Sequence, residues 1–157
     1  GLLFFTEGVV FLELVIRDAV PGDSAALARL NREEMGYSYP SELTGEKLRR
    51  LLADGRNKIL VAQLNGAVAG YVHLVDYDVL YAPPMKNIMG IAVDSSCRRQ
   101  GVGRKLLEEA EGWARETGAA GIRLVSGESR TGAHAFYRSL GYEGTKMQLN
   151  LKKMFEG

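Results

Sequence analysis

Ile88-Met89-Gly90-Ile91-Ala92-Val93-Asp94-Ser95-Ser96-Cys97-Arg98-Arg99-Gln100-Gly101-Val102-Gly103-Arg104 is the stretch on which the reading of this chain turns. Its first part is a short apolar run with Ile88, Met89, Ile91 and Val93, closed by Asp94-Ser95-Ser96, which predicts a buried strand ending in a turn. Beyond it, Val102, Leu106, Ala110, Trp113 and Thr117 recur at helical spacing until Gly118 supplies a C-cap residue. A strand therefore runs through a glycine turn into a helix. Without a Cβ on Gly101 or Gly103, the amides of the turn can approach a ligand closely. The helix start behind them carries free N–H groups and a positive dipole end. That combination is a phosphate cradle.

Two common glycine motifs are eliminated by the residues around it. A P-loop needs Lys-Ser/Thr after its last glycine, whereas Arg104-Lys105-Leu106 follow Gly103, and the first glycine is too near. A dinucleotide fingerprint wants a third glycine three residues after Gly103, and Leu106 stands there. What remains is R-x-x-G-x-G, carried by Arg98, Gly101 and Gly103 after a strand. In this the sequence resembles the GNAT superfamily of acyl-CoA-dependent N-acetyltransferases. The resemblance implies that Arg98, Arg99, Gln100, Gly101, Val102, Gly103 and Arg104 hold the pyrophosphate of coenzyme A, with acetyl-CoA as acyl donor and no metal.

Two further motifs carry the same resemblance in the expected order. Ala133-His134-Ala135-Phe136-Tyr137-Arg138-Ser139-Leu140-Gly141-Tyr142 is similar to the family's A-x-x-F-Y-x-x-x-G-[FY] helix. Near the start, Val15-Ile16-Arg17-Asp18-Ala19 followed by Pro21-Gly22-Asp23 resembles its first strand and the cap of its first helix. Together the motifs span about Leu12 to Leu151.

With 157 residues, 46% of them hydrophobic, the chain is long enough to bury one core without staples. A formal net charge of +1 gives no reason to expect nucleic acid as a partner. The basic cluster Arg98, Arg99, Arg104 and Lys105 falls where phosphate is expected, rather than forming a merely solvated helix start. The single cysteine, Cys97, rules out an internal disulfide and suits a reducing cytoplasm. It has no evident base partner, and we read it as a small half-buried turn residue rather than a nucleophile.

Leu2-Leu3-Phe4-Phe5 and Val9-Val10-Phe11-Leu12 are apolar, but Glu7 and Gly8 interrupt them. No basic n-region or small-residue cleavage site accompanies them, and the run is too short to span a bilayer. Residues 1–11 are read as an N-terminal extension: an extra strand, a cloning remnant or an upstream segment. Residues 12–157 are read as a single N-acetyltransferase domain in the cytoplasm, away from membranes, with a homodimer left open.

The remaining pattern predicts a strand over Leu12 to Asp18 and a helix over Ser24 to Glu34, with Ala25, Leu27 and Leu30 at its apolar face. A helix over Ser41 to Leu52 follows Pro40 and ends at Asp54-Gly55. Lys58 to Leu64 and Ala67 to Asp76 flank Asn65-Gly66, the strongest two-residue hairpin signal. A loop through Tyr81-Ala82-Pro83-Pro84 precedes the motif strand. After the motif helix come a strand over Ile122 to Ser126, a helix over Thr131 to Leu140 and a last strand over about Thr145 to Leu151. The implied class is α+β, a mixed and mostly antiparallel sheet flanked by helices, as in the resembled family.

In the implied reaction a primary amine attacks the thioester carbonyl and expels a thiolate. A lysine-like amine with a pKa near ~10.4 costs about 4 to 5 kcal/mol to hold neutral at pH 7, a demand met by a base or by desolvation. A fixed N–H donor for the developing oxyanion contributes roughly 3 to 4 kcal/mol. By resemblance, the backbone of Ile91, Ala92 and Val93 supplies such groups, because the family splays this strand from its neighbour and the pantetheine lies in the gap like an added strand. Tyr137 is the expected acid for the thiolate: a phenol near pKa ~10 stays protonated at pH 7. Ala133, Phe136 and Leu140 are expected to form the apolar stripe of its helix, with Tyr137 at the edge. A half-buried packing tyrosine is the competing reading.

The base is left unassigned. Many family members carry a glutamate where Asn87 stands, and Asn87 cannot usefully accept a proton. Asp76, Asp78, His73, Glu128 or a water chain can fill the role, while His73 reads equally as a buried, hydrogen-bonded core residue. Arg130 stands about where many members have an asparagine; a contact to coenzyme phosphate, a contact to the acceptor and a plain surface position all stay open.

The acceptor is a small-molecule or peptide amine. Family specificity lies in the segments around Met35-Gly36-Tyr37-Ser38-Tyr39-Pro40 and Tyr77 to Met85. Both are aromatic, with Glu33, Glu34, Asp76 and Asp78 close by in sequence, a composition that fits a cationic amine. The alternative function is a non-catalytic acyl-CoA-binding or sensing domain of the same fold.

Overall fold

The computed structural model describes residues 2–5, 10–127 and 130–156, and the side chains among them from residue 13 onward. Two compact units divide the chain, residues 1–124 and 125–157.

The first unit holds a six-stranded sheet in the order β1-β2-β3-β4-β5-β6: Leu2–Phe5, Val10–Asp18, Asn57–Leu64, Ala67–Tyr77, Met85–Val93 and Ile122–Leu124. All neighbours are antiparallel except β5 and β6, which are parallel. The mixed, mostly antiparallel sheet is thus the one expected, and part of the N-terminal extension adds an edge strand to it. At the β3–β4 hairpin Asn65 (φ 53°) and Gly66 (φ 83°) both take the left-handed region, as a two-residue turn of this hand requires. Asn65 Oδ1 also accepts the Glu13 amide at 2.8 Å, latching the turn to β2.

Helices α1 (Ser24–Met35) and α2 (Ser41–Leu52) cover one face of the sheet. Leu27 and Leu30 of α1 and Leu48 of α2 pack with Ile59, Val61, Tyr71 and Ala92 of the sheet. Ala25, expected at the apolar face of α1, is exposed, and Ala28 takes its place in the buried stripe. Helix α3 (Val102–Glu116) covers the other face, burying Val102, Leu106, Leu107, Ala110 and Ala114. The entry to α1 is fixed by a forked ion pair. Arg17 donates to both carboxylate oxygens of Asp23 at 2.8 Å, and Asp23 Oδ2 accepts the Val20 amide at 2.8 Å. Arg17 therefore holds the Asp23 carboxyl below the usual carboxylate range.

The second unit contains α4 (Thr131–Ser139). The strand expected over about Thr145 to Leu151 is absent. The alternation Met147, Leu149, Leu151 is strand-like, but these side chains are 64%, 85% and 84% exposed. A strand exists only through its hydrogen-bonded ladder, and none forms on this segment among the described residues. No described helix is long and apolar enough to cross a membrane.

Candidate active site

Strand β5 pairs along one edge with β4, setting Val93 opposite Gly70, Ala92 opposite Tyr71 and Ile91 opposite Val72. Its other edge is paired with β6 only from Lys86 to Ile88. Past Ile88, no described strand covers that edge, so Met89 to Val93 line an open margin of the sheet. Alternate residues there turn their N–H and C=O groups outward, available to an extended ligand. A register shift follows His73, where Gly90 faces His73 and Ile88 faces Leu74, so Met89 is the extra residue. The bulge brings Gly90 and Ala92 onto the same sheet face as His73 and Tyr71.

Asp94 secures the end of β5. Its amide donates to the Ala69 carbonyl at 2.8 Å, and its carboxylate accepts from Ser96 N and Oγ at 2.9 and 2.7 Å and from Arg29 at 3.0 Å. Those Ser96 contacts, then Arg29, keep the carboxyl below its usual range. A 3-10 turn over Ser95–Cys97 follows, with Cys97 half-buried as expected. Arg99 (φ 65°) and Gly101 (φ 80°) then take left-handed conformations, and Gly101 is the N-cap of α3. The first bond of that helix runs from Lys105 N–H to the Gly101 carbonyl at 3.0 Å. The amides of Val102, Gly103 and Arg104 consequently have no intrahelical partner. Gly103 lies inside the first turn of α3 rather than in the loop. Arg98 is 72% exposed, with its guanidinium 3.7 Å from Glu34, and Arg104 is paired with Glu108 at 3.5 Å. Gln100 is half-buried.

A cavity of about 430 Å³ opens between α1, α2, the loop joining them and the sheet. Tyr71 and His73 form part of its floor, Asn31 and Lys47 come from the helices, and Tyr37 and Tyr39 from the loop. Tyr71, buried in the sheet, donates its hydroxyl to Asn31 Oδ1; burial pushes its phenol up to about 12. His73 Nε2 lies 2.8 Å from Asn57 Oδ1. Since that oxygen only accepts, Nε2 carries the hydrogen and Nδ1 the lone pair. Burial lowers the His73 pKa, favouring the neutral ring. Gly90 adjoins this floor: a Cβ there would be 3.8 Å from the Tyr71 hydroxyl and from Met35 Cε.

The other base candidates do not line this cavity among the described residues. Asp76 is bound by Lys86 Nζ at 2.6 Å. The carbonyl oxygen of Asn87 accepts from Arg123 at 2.6 Å. Asp78 is exposed, and Glu128 lies outside the described residues. The acidic residues read from the sequence as neighbours of the acceptor do not line the cavity. Glu33 is paired with Arg29 at 3.0 Å, and Glu34 accepts the Ser95 amide at 3.0 Å. Lys47, Tyr71 and Asn31 were not legible as site residues. Only the two-residue spacing of Tyr71 and His73 on β4 hints that they share a face.

In the second unit, Tyr137 sits in α4 with its ring 5.5 Å from Phe136 and 5.9 Å from Tyr142. The half-buried stripe runs through Ala133, Tyr137 and Leu140, while Phe136 is 36% exposed, so Tyr137 and not Phe136 occupies the inner line of the helix. Burial raises the phenol and so favours its protonated form, an effect that the Arg130 charge partly offsets.

These features have relatives. The sequence profile of the acetyltransferase (GNAT) family matches residues 24–142. The uncharacterized N-acetyltransferase YhfO of Bacillus subtilis (strain 168) is 31% identical over 134 residues, 82% of this chain and 89% of that protein. An aminoglycoside N(6')-acetyltransferase type 1 of Stenotrophomonas maltophilia is 30% identical over 139 residues, 83% of this chain and 87% of that one. The fold is shared with a crystal structure of aminoglycoside N-acetyltransferase AAC(6')-Iy in complex with CoA, at a TM-score of 0.81 and 18% identity, covering 90% and 95% of the two chains. From the strand–turn–helix unit and these matches it follows that the chain belongs to the acetyltransferase (GNAT) family of acyltransferase enzymes.

Proposed function

We propose that this protein transfers an acetyl group from acetyl-CoA to the primary amine of a small molecule, by direct attack in a ternary complex, and that residues 12–157 act as one catalytic domain. The observation that carries the reading is the end of the β5–β6 pairing at Ile88, beyond which no described strand pairs with that edge of β5. It leaves the edge of Met89–Val93 open on a path that leads into the unpartnered amides at the start of α3. The pyrophosphate rests on the segment from Arg98 to Arg104. The pantetheine arm extends along Ile91, Ala92 and Val93 as an added strand. The CoA complex of AAC(6')-Iy, a protein of the same fold, supports the ligand class.

When bound, the coenzyme supplies an activated acyl group on sulfur. This chain's residues do the rest. Backbone N–H groups on the open edge of β5 polarise the acyl oxygen. The cavity beside Gly90 receives the amine, and His73, through its Nδ1 lone pair, takes the amine proton directly or by way of water. Tyr137 gives a proton to the departing sulfur. Cys97 takes no part.

The coenzyme reading is tested by calorimetry on Gly103→Val. Valine differs little from glycine in helix propensity, so the fold survives, but a β-branched side chain among the amides at the helix start blocks close approach. Wild-type protein is expected to bind CoA in preference to ATP or NAD, and the variant to lose at least tenfold in affinity with a nearly unchanged melting temperature. Equal CoA affinity in the two proteins would overturn the assignment.

A further inference from the structure

The cavity beside Gly90 carries a charge pattern that restricts its amine. Four of its walls are aliphatic, Leu27, Leu48, Leu51 and Ile59, and three are tyrosines. No aspartate or glutamate lines it among the described residues. Three carboxylates on adjoining segments are engaged elsewhere, Glu33 with Arg29, Glu34 with the Ser95 amide and Asp76 with Lys86, and Glu42 and Glu46 of α2 are exposed and do not line the cavity. Among the described residues, the one lining group with a fixed charge is cationic. Lys47 stands with its ammonium 4.9 Å from the centre of the Tyr39 ring, and no carboxylate is paired with it among the described residues.

This arrangement disfavours a polycation. Each further ammonium brought into the cavity would lose hydration without gaining a counter-charge, and would face Lys47. The Tyr39 face, the natural aromatic seat for a cation, is already taken by Lys47. A ligand carboxylate, by contrast, gains a charge-assisted partner at Lys47. The volume of about 430 Å³ is near the low end of the ~300–1,000 Å³ usual for small-molecule sites.

We propose that the acceptor is an apolar α-amino acid or a close analogue: its carboxylate pairs with Lys47 at the cavity mouth, its side chain packs among the leucines and tyrosines, and its amine points toward Gly90. The proposal rests on the N-acetyltransferase reading above and narrows its substrate class. It departs from the aminoglycosides named for several relatives. The chemistry balances simply: the amine nitrogen forms an amide bond to the acetyl carbon, the carbon–sulfur bond breaks, and the amine proton leaves to His73 or water while the thiolate is protonated.

The test compares L-phenylalanine, L-leucine and L-methionine with phenethylamine, which keeps the phenylalanine body but lacks the carboxylate, and with kanamycin as polycation. Each is assayed for CoA release with wild-type protein and with Lys47→Met, which keeps an apolar stem and removes the charge. At least one amino acid is expected to exceed phenethylamine at least tenfold in kcat/KM, with kanamycin lowest. Lys47→Met is expected to lower the amino acid at least tenfold and phenethylamine less than twofold. Kanamycin as best substrate, or a preference for the carboxylate that Lys47→Met leaves intact, overturns the proposal. Calorimetric binding of the same ligands to the CoA-loaded protein separates the two levels. A Lys47-dependent preference for the amino acid without turnover keeps the cavity assignment and refutes the transferase reading, and no such preference in either assay refutes the cavity assignment.

Discussion

A Cβ placed on Gly70 of β4 would lie 2.7 Å from the carbonyl oxygen of Ala92 on β5, nearer than real Cβ atoms come to backbone. On the same side it would be 3.3 Å from Leu106 and Val102 of α3. Glycine at this position therefore sets how closely β4, β5 and the start of α3 approach, and hence the line from strand edge to helix amides. Gly70→Ala is expected to destabilise the protein by about 1–3 kcal/mol through overpacking, and to weaken CoA binding in the protein that still folds. Chemical denaturation and calorimetry read both effects. A neutral substitution would mean that this contact does not position the strand.

Tyr137→Phe removes one hydroxyl and almost no packing area. The variant is expected to keep its stability and CoA affinity while kcat falls by roughly 10² to 10⁴-fold, the usual contribution of a positioned acid. Because burial raises the phenol above its ordinary value of 10.0, the wild-type rate should show no descending limb from this group up to about pH 10. Wild-type turnover in the Phe variant across that range would reduce Tyr137 to a packing residue.

His73 makes an opposite demand on pH. Burial disfavours the imidazolium, so the protonated ring, which cannot accept a proton, disappears as pH rises through a value below the ordinary 6.5. The profile of kcat is expected to show an ascending limb there, and His73→Gln to lose it together with at least tenfold in rate. An unchanged limb in the Gln variant would assign the proton to water or to the amine itself.

Cys97 lies in the 3-10 turn with its sulfur 3.7 Å from Ser96 Oγ and no base beside it among the described residues. Cys97→Ala is expected to leave kcat within about twofold, and intact mass of the wild-type protein incubated with acetyl-CoA to show no adduct on Cys97. An acetyl-cysteine that forms and decays at the rate of turnover would replace direct attack with a two-step route.

Much of this was readable before the fold was known, and the reason is locality. Pro40 and Asp54-Gly55 bracket α2, and its observed bounds, Ser41–Leu52, are those the sequence predicts. Asn65-Gly66 alone dictates a hairpin. The glycine turn before α3 was equally plain, though Gly103 proved to belong to the helix. What failed was non-local. Met147, Leu149 and Leu151 have the alternation of a strand, but alternation does not supply a partner edge. Glu33 and Glu34 look like acceptor-site acids until Arg29 and the Ser95 amide are seen to claim them. Lys47 and Tyr71 meet in one cavity only because α2 packs against β3, the neighbour of β4, a fact no window of sequence contains.

Amine-dependent acyl transfer is what every residue role above serves, and free thiol is its most direct signature. Protein incubated with acetyl-CoA and a panel of primary amines should release CoA at a rate that saturates with at least one amine and far exceeds the rate without amine, with a product heavier than that amine by one acetyl group. CoA release no faster than the amine-free background for every amine, in protein shown by calorimetry to bind CoA, would contradict acyl transfer and leave a domain that binds the coenzyme without turning it over.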